Sequence, residues 1–276
     1  MPFDAGEGGR PGARLGPLGM RQESLALRPL YNPAQRVQVF EWVSAVDQGD
    51  SPVQPGCAAP SLEMMTATLG YVHEAEVVAI GLGGDHSAMM AGLRAAAEHH
   101  GPLALLQFDA HANTWDEYLG GRYTHGTVVR RAVDEGLVDP RRSTLMGMRG
   151  GLNGPHDYDE AREMGFTMVP WDDLAQLGTG VVSAAVEAAG GKAFLAFDID
   201  FVDPAFAPGT DLLEVGGPTS AQALALLRAC RGLSIAAAGV LEVAPELDAT
   251  RRTGTLGAVA AYEILSLVAC ERRDAE

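Results

Sequence analysis

The residues best suited to chemistry stand in one short stretch, Leu105 to Thr114, where an apolar run from Leu103 to Phe108 ends in Asp109, His111 and Asn113. Apolar runs of this length, bounded by polar residues, read as strands buried on both faces. On an extended backbone, side chains at 109 and 111 share a side. A carboxylate and an imidazole aimed at one point are N/O donors suited to a divalent ion; taken singly, the pair fits a helix cap as well. The pattern then recurs. Ala193 to Asp200 is again an apolar strand ending in two acids at the same spacing, Asp198 and Asp200. Val77 to Leu82 runs into Gly83-Gly84-Asp85-His86-Ser87, and Ser234 to Leu241 ends at Glu242. In an open parallel α/β sheet, the C-terminal strand edge is where ligands bind. Buried carboxylates without partners are costly, and no Lys or Arg adjoins these strand ends, so the grouping of Asp109, Asp198 and Asp200 points to bound cations.

The blocks GGDHS (83–87), FDAHANTWDEY (108–118), YTHGT (123–127), FDIDFVDPAFAPGT (197–210) and LEVAP (241–245) resemble, in order, the signature blocks of the ureohydrolase (arginase/agmatinase) family. The resemblance spans nearly the whole chain, and the agmatinase branch is the most similar. It implies six metal-ligand positions: His86, Asp109, His111, Asn113, Asp198 and Asp200. Asp109 and Asp198 would bridge two ions, usually Mn2+, with Ni2+ or another divalent ion as the alternative. It also implies a hydroxide held between the ions that attacks a guanidinium carbon. His125 would pass a proton to the departing amine, and Glu242 would grip the guanidinium with two bonds. The implied reaction converts agmatine or a related small guanidino compound to urea and a primary amine. Members of the family commonly form trimers or hexamers, so a homo-oligomer is expected.

The sequence departs from the family pattern at two places near these residues. Asn113 stands where the family carries a third acid; it can offer a carbonyl oxygen but no charge. The ion on His86, Asp109 and Asp198 is therefore expected to be weakly held or missing, while the ion on His111, Asp109, Asp198 and Asp200 keeps all its ligands. Asp211-Leu-Leu-Glu214 replaces the family's Gly-Thr-Pro-Glu and should reshape the substrate pocket. These departures support a second reading, a catalytically impaired member that assembles with or regulates an active paralogue in a hetero-oligomer. A change of chemistry to deacetylation ranks last. The Gly- and Pro-rich opening resembles the loop after the family's first strand, so Met1-Pro-Phe3 is read as the remnant of that strand, with a mis-called start or a truncation as its cause. Asp85 and Asp203 are read as loop supports, Trp115 as packing, and His99 and His100 as helix-end residues; His73 and His156 receive no role.

The elements that must position these groups alternate strand and helix. Further strands are expected at Arg36–Val43, Arg142–Met148 and Gly165–Pro170. Helices are expected at Arg21–Leu27, Pro60–His73 with Ser61 as N-cap, Ser87–His99, Thr127–Glu135, Val181–Ala189, Ser220–Cys230 and Leu256–Val268. The whole chain, 1–276, reads as one α/β domain: three α/β/α layers around a mostly parallel, arginase-like sheet of about eight strands, the first truncated. Hydrophobic residues make up 47% of the 276, enough for a sizeable core. No apolar run is long enough for a bilayer and no secretory start is visible, so cytoplasm is the expected location. Three scattered cysteines argue against a disulfide framework. A net charge of −16 opposes nucleic acid and anionic membranes as partners and suits a cationic substrate.

Overall fold

A computed structural model describes residues 1–6 and 8–276. The strands are β1 (Tyr31–Asn32), β2 (Val37–Gln38), β3 (Ala79–Leu82), β4 (Ala104–Phe108), β5 (Thr144–Met146), β6 (Thr167–Val169), β7 (Lys192–Asp198) and β8 (Ser234–Leu241). The helices are α1 (Gly16–Ser24), α2 (Val39–Trp42), α3 (Ala58–Glu74), α4 (Met89–His100), α5 (Val128–Asp134), α6 (Asp157–Met164), α7 (Trp171–Leu177), α8 (Thr179–Ala189), α9 (Ser220–Arg228) and α10 (Arg252–Asp274). Six strands form one parallel sheet in the order β3-β8-β7-β4-β5-β6.

Period-two alternation explains the three layers. In β7, Ala193, Leu195 and Phe197 face one apolar cluster with α8, α9 and α10, while Phe194 and Ala196 face another with α3, α4 and α5. β4 behaves the same way, with Leu106 and Phe108 on one side and Leu105 on the other. In β8 the alternation skips a beat: Ala236 and Ala237 both face the α3/α4 layer. The β7/β8 register shifts between Ala193 and Phe194, so this is a bulge, one extra residue on β8.

The main sheet has six strands among the described residues, not about eight. The alternation at 36–43 yields only the two-residue β2, which pairs antiparallel with β1 in a separate ribbon. The chain then coils into α2, whose Val39 O accepts from Val43 N, and both side chains are buried on one helical face. Helical spacing of the two valines overrides the apparent strand period. Residues 1–3 run beside β3, where the Met1 ammonium donates to Leu82 O (2.8 Å) and Phe3 O accepts from Asp85 N (2.8 Å), without adding a strand to the ladder. Ser61 is not an N-cap. α3 starts at Ala58, with Pro60 inside its first turn, where a missing N–H costs nothing; the buried Ser61 hydroxyl instead bonds the main chain of Gln54. α6 and α7 were not anticipated. The cysteines are free, with Cys230 and Cys270 buried.

α10 is longer than the expected 256–268 and is, by length and composition alone, apolar enough to cross a membrane. However, 72% of its most apolar window is buried inside the fold, which makes it a core helix rather than a lipid-facing one. It also carries a buried acid, Glu263, whose carboxylate accepts from Asn32 Nδ2 (2.9 Å), Gln35 Nε2 (2.7 Å) and Arg228 Nη2 (2.5 Å). One carboxylate thereby ties the β1–β2 ribbon and α9 to α10. Glu263→Ala should leave those donors unpaired and cost about 3 kcal/mol, read as a lower urea midpoint with an unchanged m-value; a midpoint shift near zero would refute the role.

Candidate metal centre

Because every strand of the sheet is parallel, the C-terminal ends of the four neighbouring strands β3, β8, β7 and β4 lie along one edge. Those are the four strands that carry the acidic and histidine blocks. Asp109 follows β4 and Asp198 ends β7, while His86 opens the short turn after β3 and Glu242 follows β8.

The i, i+2 pairs converge by a different route from strand alternation. At both strand ends the backbone leaves the extended conformation, and the aspartate captures the main chain two residues on. Asp109 Oδ1 accepts from His111 N (2.6 Å), and Asp198 Oδ1 accepts from Asp200 N (2.8 Å). These are Asx-type turns, in which the short side chain replaces a backbone acceptor. Each turn leaves its aspartate facing inward and swings the second residue back beside it.

Two sets of groups that could hold a metal ion result: His86, Asp109 and Asp198, and Asp109, His111 and Asp200. Within each set the ligand atoms lie within 4.8 Å of one another, and Asp109 belongs to both. His86 Nδ1 stands 2.6 Å from Asp198 Oδ2 and 3.1 Å from Asp109 Oδ2. His111 Nδ1 stands 2.8 Å from Asp200 Oδ2. The three carboxylates are buried, and no Lys or Arg side chain bonds to them among the described residues. Burial, reinforced by Asp200, pushes Asp109 above the usual carboxylate range; burial with Asp200 and Asp109 raises Asp198 further. Although burial opposes both charges, Asp200 and His111 support each other, lowering the acid and raising the imidazole. A buried N/O donor set carrying more negative than positive charge fits divalent cations.

Asn113 sits in the same cluster but presents Nδ2, not its carbonyl, and donates to Asp109 Oδ2 (2.7 Å). Its left-handed backbone (φ 55°) is one that Asn and Asp tolerate well. The expected carbonyl ligand is thus an amide donor satisfying the shared carboxylate. Glu242 also adopts a left-handed backbone (φ 61°), a strained choice for a residue of its size. It is held by its N–H on Gly84 O (2.9 Å) and by its carboxylate Oε1, which accepts from His86 N (2.5 Å). Gly84 has no room for a Cβ, because Phe3 O occupies that space. His125 opens a turn closed by a reciprocal Thr124–Thr127 cap and lies 5.1 Å from the Tyr118 ring. Burial lowers its pKa to about 4, so the imidazole is neutral at pH 7.

These groups line one cavity of about 220 Å³, below the roughly 300–1,000 Å³ of drug-sized pockets. Several wall residues escaped sequence reading. Trp115 lines the cavity rather than only packing; it stacks on Tyr118, and its indole N–H donates to Asp157 Oδ2 (2.7 Å). Glu214 Oε1 lies 3.3 Å from His111 Nε2, and Leu212 joins the wall, so the altered 211–214 segment does face the pocket. Gln107, taken as part of an apolar run, is buried and donates to Asp109 Oδ2 (3.2 Å). Trp115 could have been found from its place beside the Asp109 block; Asp157 and Gln107 carried no such signal. Asp85 accepts from Gly6 N and Asp203 from Ala205, Gly216 and Gly217, which makes both loop supports as expected.

Comparison with known proteins identifies the family. The arginase family profile matches residues 1–266. The chain is 38% identical over 272 residues to guanidinopropionase of Pseudomonas aeruginosa, covering 98% of this chain and 85% of that one. It is 37% identical over 270 residues to the mitochondrial agmatinase of Gallus gallus, covering 97% and 79% respectively. The structure of proclavaminate amidinohydrolase from Streptomyces clavuligerus superposes with a TM-score of 0.91 at 37% identity, covering 98% of this chain and 90% of that one. The chain belongs to the arginase family, the ureohydrolases, and has the family's three-layer fold.

The raised acids predict a linkage between metal and pH. Relative to an unfolded value of 3.8, raised folded pKa values mean that metal-free protein loses stability as pH rises above 3.8. A divalent ion offsets that loss while competing with protons at low pH. Mn2+ added to chelator-stripped protein should therefore raise the thermal midpoint more at pH 8 than at pH 5. Equal shifts at the two pH values would contradict this account.

Proposed function

We propose that this chain hydrolyses agmatine, or a closely related guanidino compound with a cationic tail, to urea and a primary amine. The observation that carries the proposal is the electrostatics of the pocket. Asp157 and Glu214 line it together with the candidate ligands, and no Lys or Arg lines it among the described residues. A guanidino acid, such as guanidinopropionase or guanidinobutyrase is named for, would bring a carboxylate tail against those acids. A second positive charge meets them favourably.

Divalent ions on the two ligand sets, for which Mn2+ is our assignment, would supply Lewis acidity and a water of lowered pKa. Glu242, anchored at the pocket floor by His86 N, faces the guanidinium. His125, neutral through burial, can take a proton from the attacking water and return it to the departing amine nitrogen. With this reading go a single domain over 1–276, a cytoplasmic location and a trimeric or hexameric homo-oligomer.

Purified protein supplied with Mn2+ should release urea from agmatine at a higher kcat/KM than from 3-guanidinopropionate; the reverse order would sink the cationic-tail assignment. His125→Asn should lower kcat by about 100-fold or more, and Glu242→Gln should lower kcat/KM. The alternative, an impaired member that serves an active paralogue, draws on Asn113, which offers Asp109 an N–H where the family has an acid. Asn113→Asp separates the two. We expect it to raise the ions retained after dialysis from one to two per chain and to increase urea release. Two ions already retained by the unaltered protein would contradict the weak-site expectation, and no urea from either protein with any guanidino substrate would favour the alternative.

A further inference from the structure

Three histidines outside the pocket gather where two helices end. His73 lies in the last turn of α3, and His99 and His100 close α4. The ring centroids are 4.6 Å apart for His99–His100, 5.6 Å for His73–His100 and 6.3 Å for His73–His99. His73 is only 2% exposed, and its Nε2 is buried without a hydrogen-bond partner among the described residues. A buried ring nitrogen left unpaired is costly and calls for a ligand. His99 and His100 are exposed and free to reorient.

We propose that His73, His99 and His100 form a second metal site, separate from the pocket, for a borderline divalent transition ion such as Zn2+, Co2+ or Ni2+. Imidazole nitrogens suit these ions. On a tetrahedral ion with metal–nitrogen bonds of about 2.0–2.1 Å, ring centroids stand roughly 5 Å apart, close to the three separations found here. Rotation of the two exposed side chains brings one nitrogen from each onto the ion, with a water as fourth ligand. Two of the rings, His73 and His100, are also shifted toward the neutral form. Burial, with the neighbouring imidazoles, lowers His73 to about 4, and burial lowers His100 as well. Neutral rings bind metal without first releasing protons. The site lies away from the pocket: His86 precedes α4, whose twelve residues at 1.5 Å per residue put its last turn about 18 Å farther on. A bound ion would clamp the C-terminal ends of α3 and α4 together.

Cobalt(II) chloride titrated into the chelator-stripped full chain tests the site, with bound metal counted after equilibrium dialysis and coordination read from visible absorption. The unaltered protein should bind one Co2+ more than the His99→Ala/His100→Ala variant and show intense tetrahedral bands that the variant lacks. Both substituted residues are exposed and outside the pocket, so folding and pocket binding are not at stake. His73→Gln should lose the same equivalent. Equal stoichiometry in the unaltered protein and the double variant overturns the proposal, as does full retention of that equivalent by His73→Gln, which would reduce the site to a surface histidine pair.

Discussion

The structure depends on one electrostatic constraint: Asp109, Asp198 and Asp200 are withdrawn from water within reach of one another, with too little positive charge from the protein to balance them. Two imidazoles, the Asn113 amide, the Gln107 amide and main-chain N–H groups supply hydrogen bonds, but those weaken rather than cancel the repulsion. Burying like charges together costs far more than any single contact returns, so the arrangement makes sense only as a receptacle for cations. The raised pKa values of Asp109 and Asp198 express the same imbalance.

The sheet is what imposes that imbalance. Four neighbouring parallel strands end at one edge, and apolar residues alternating to both helical layers lock their register. A one-residue slip would turn core side chains into the wrong layer. At the strand ends, Asx turns at Asp109 and Asp198 double back the chain, and left-handed backbone at Asn113 and Glu242 sharpens the fit. Such strain persists only where the surroundings hold it; for Glu242 the contacts are with Gly84 O and His86 N from the neighbouring strand end.

The pocket above this edge combines aromatic walls with acids, and no Lys or Arg is among the described lining residues. Trp115 joins the two characters, stacking on Tyr118 while its N–H fixes Asp157. The 211–214 segment, which departs from the family pattern, contributes Leu212 and Glu214 to the pocket wall.

By itself the sequence determined the alternation of strands and helices, the strand ends that carry the candidate site, and the family. These are local features: an apolar run ended by acids at fixed spacing is visible without knowing its neighbours. Its period misled at Arg36–Val43, because valines at 37, 39 and 43 satisfy strand and helix spacing in part and only burial decides between them. Only the tertiary structure decided that the i, i+2 pairs meet through Asx turns, that Asn113 turns its N–H to Asp109, and that Asp157 and Glu214 line the pocket. It also joined His73 to His99 and His100, and buried Glu263 and Gln107 as anchors. Each of these depends on a partner distant in the chain, and a side chain's ionisation and orientation are set by the field and volume its partners leave it.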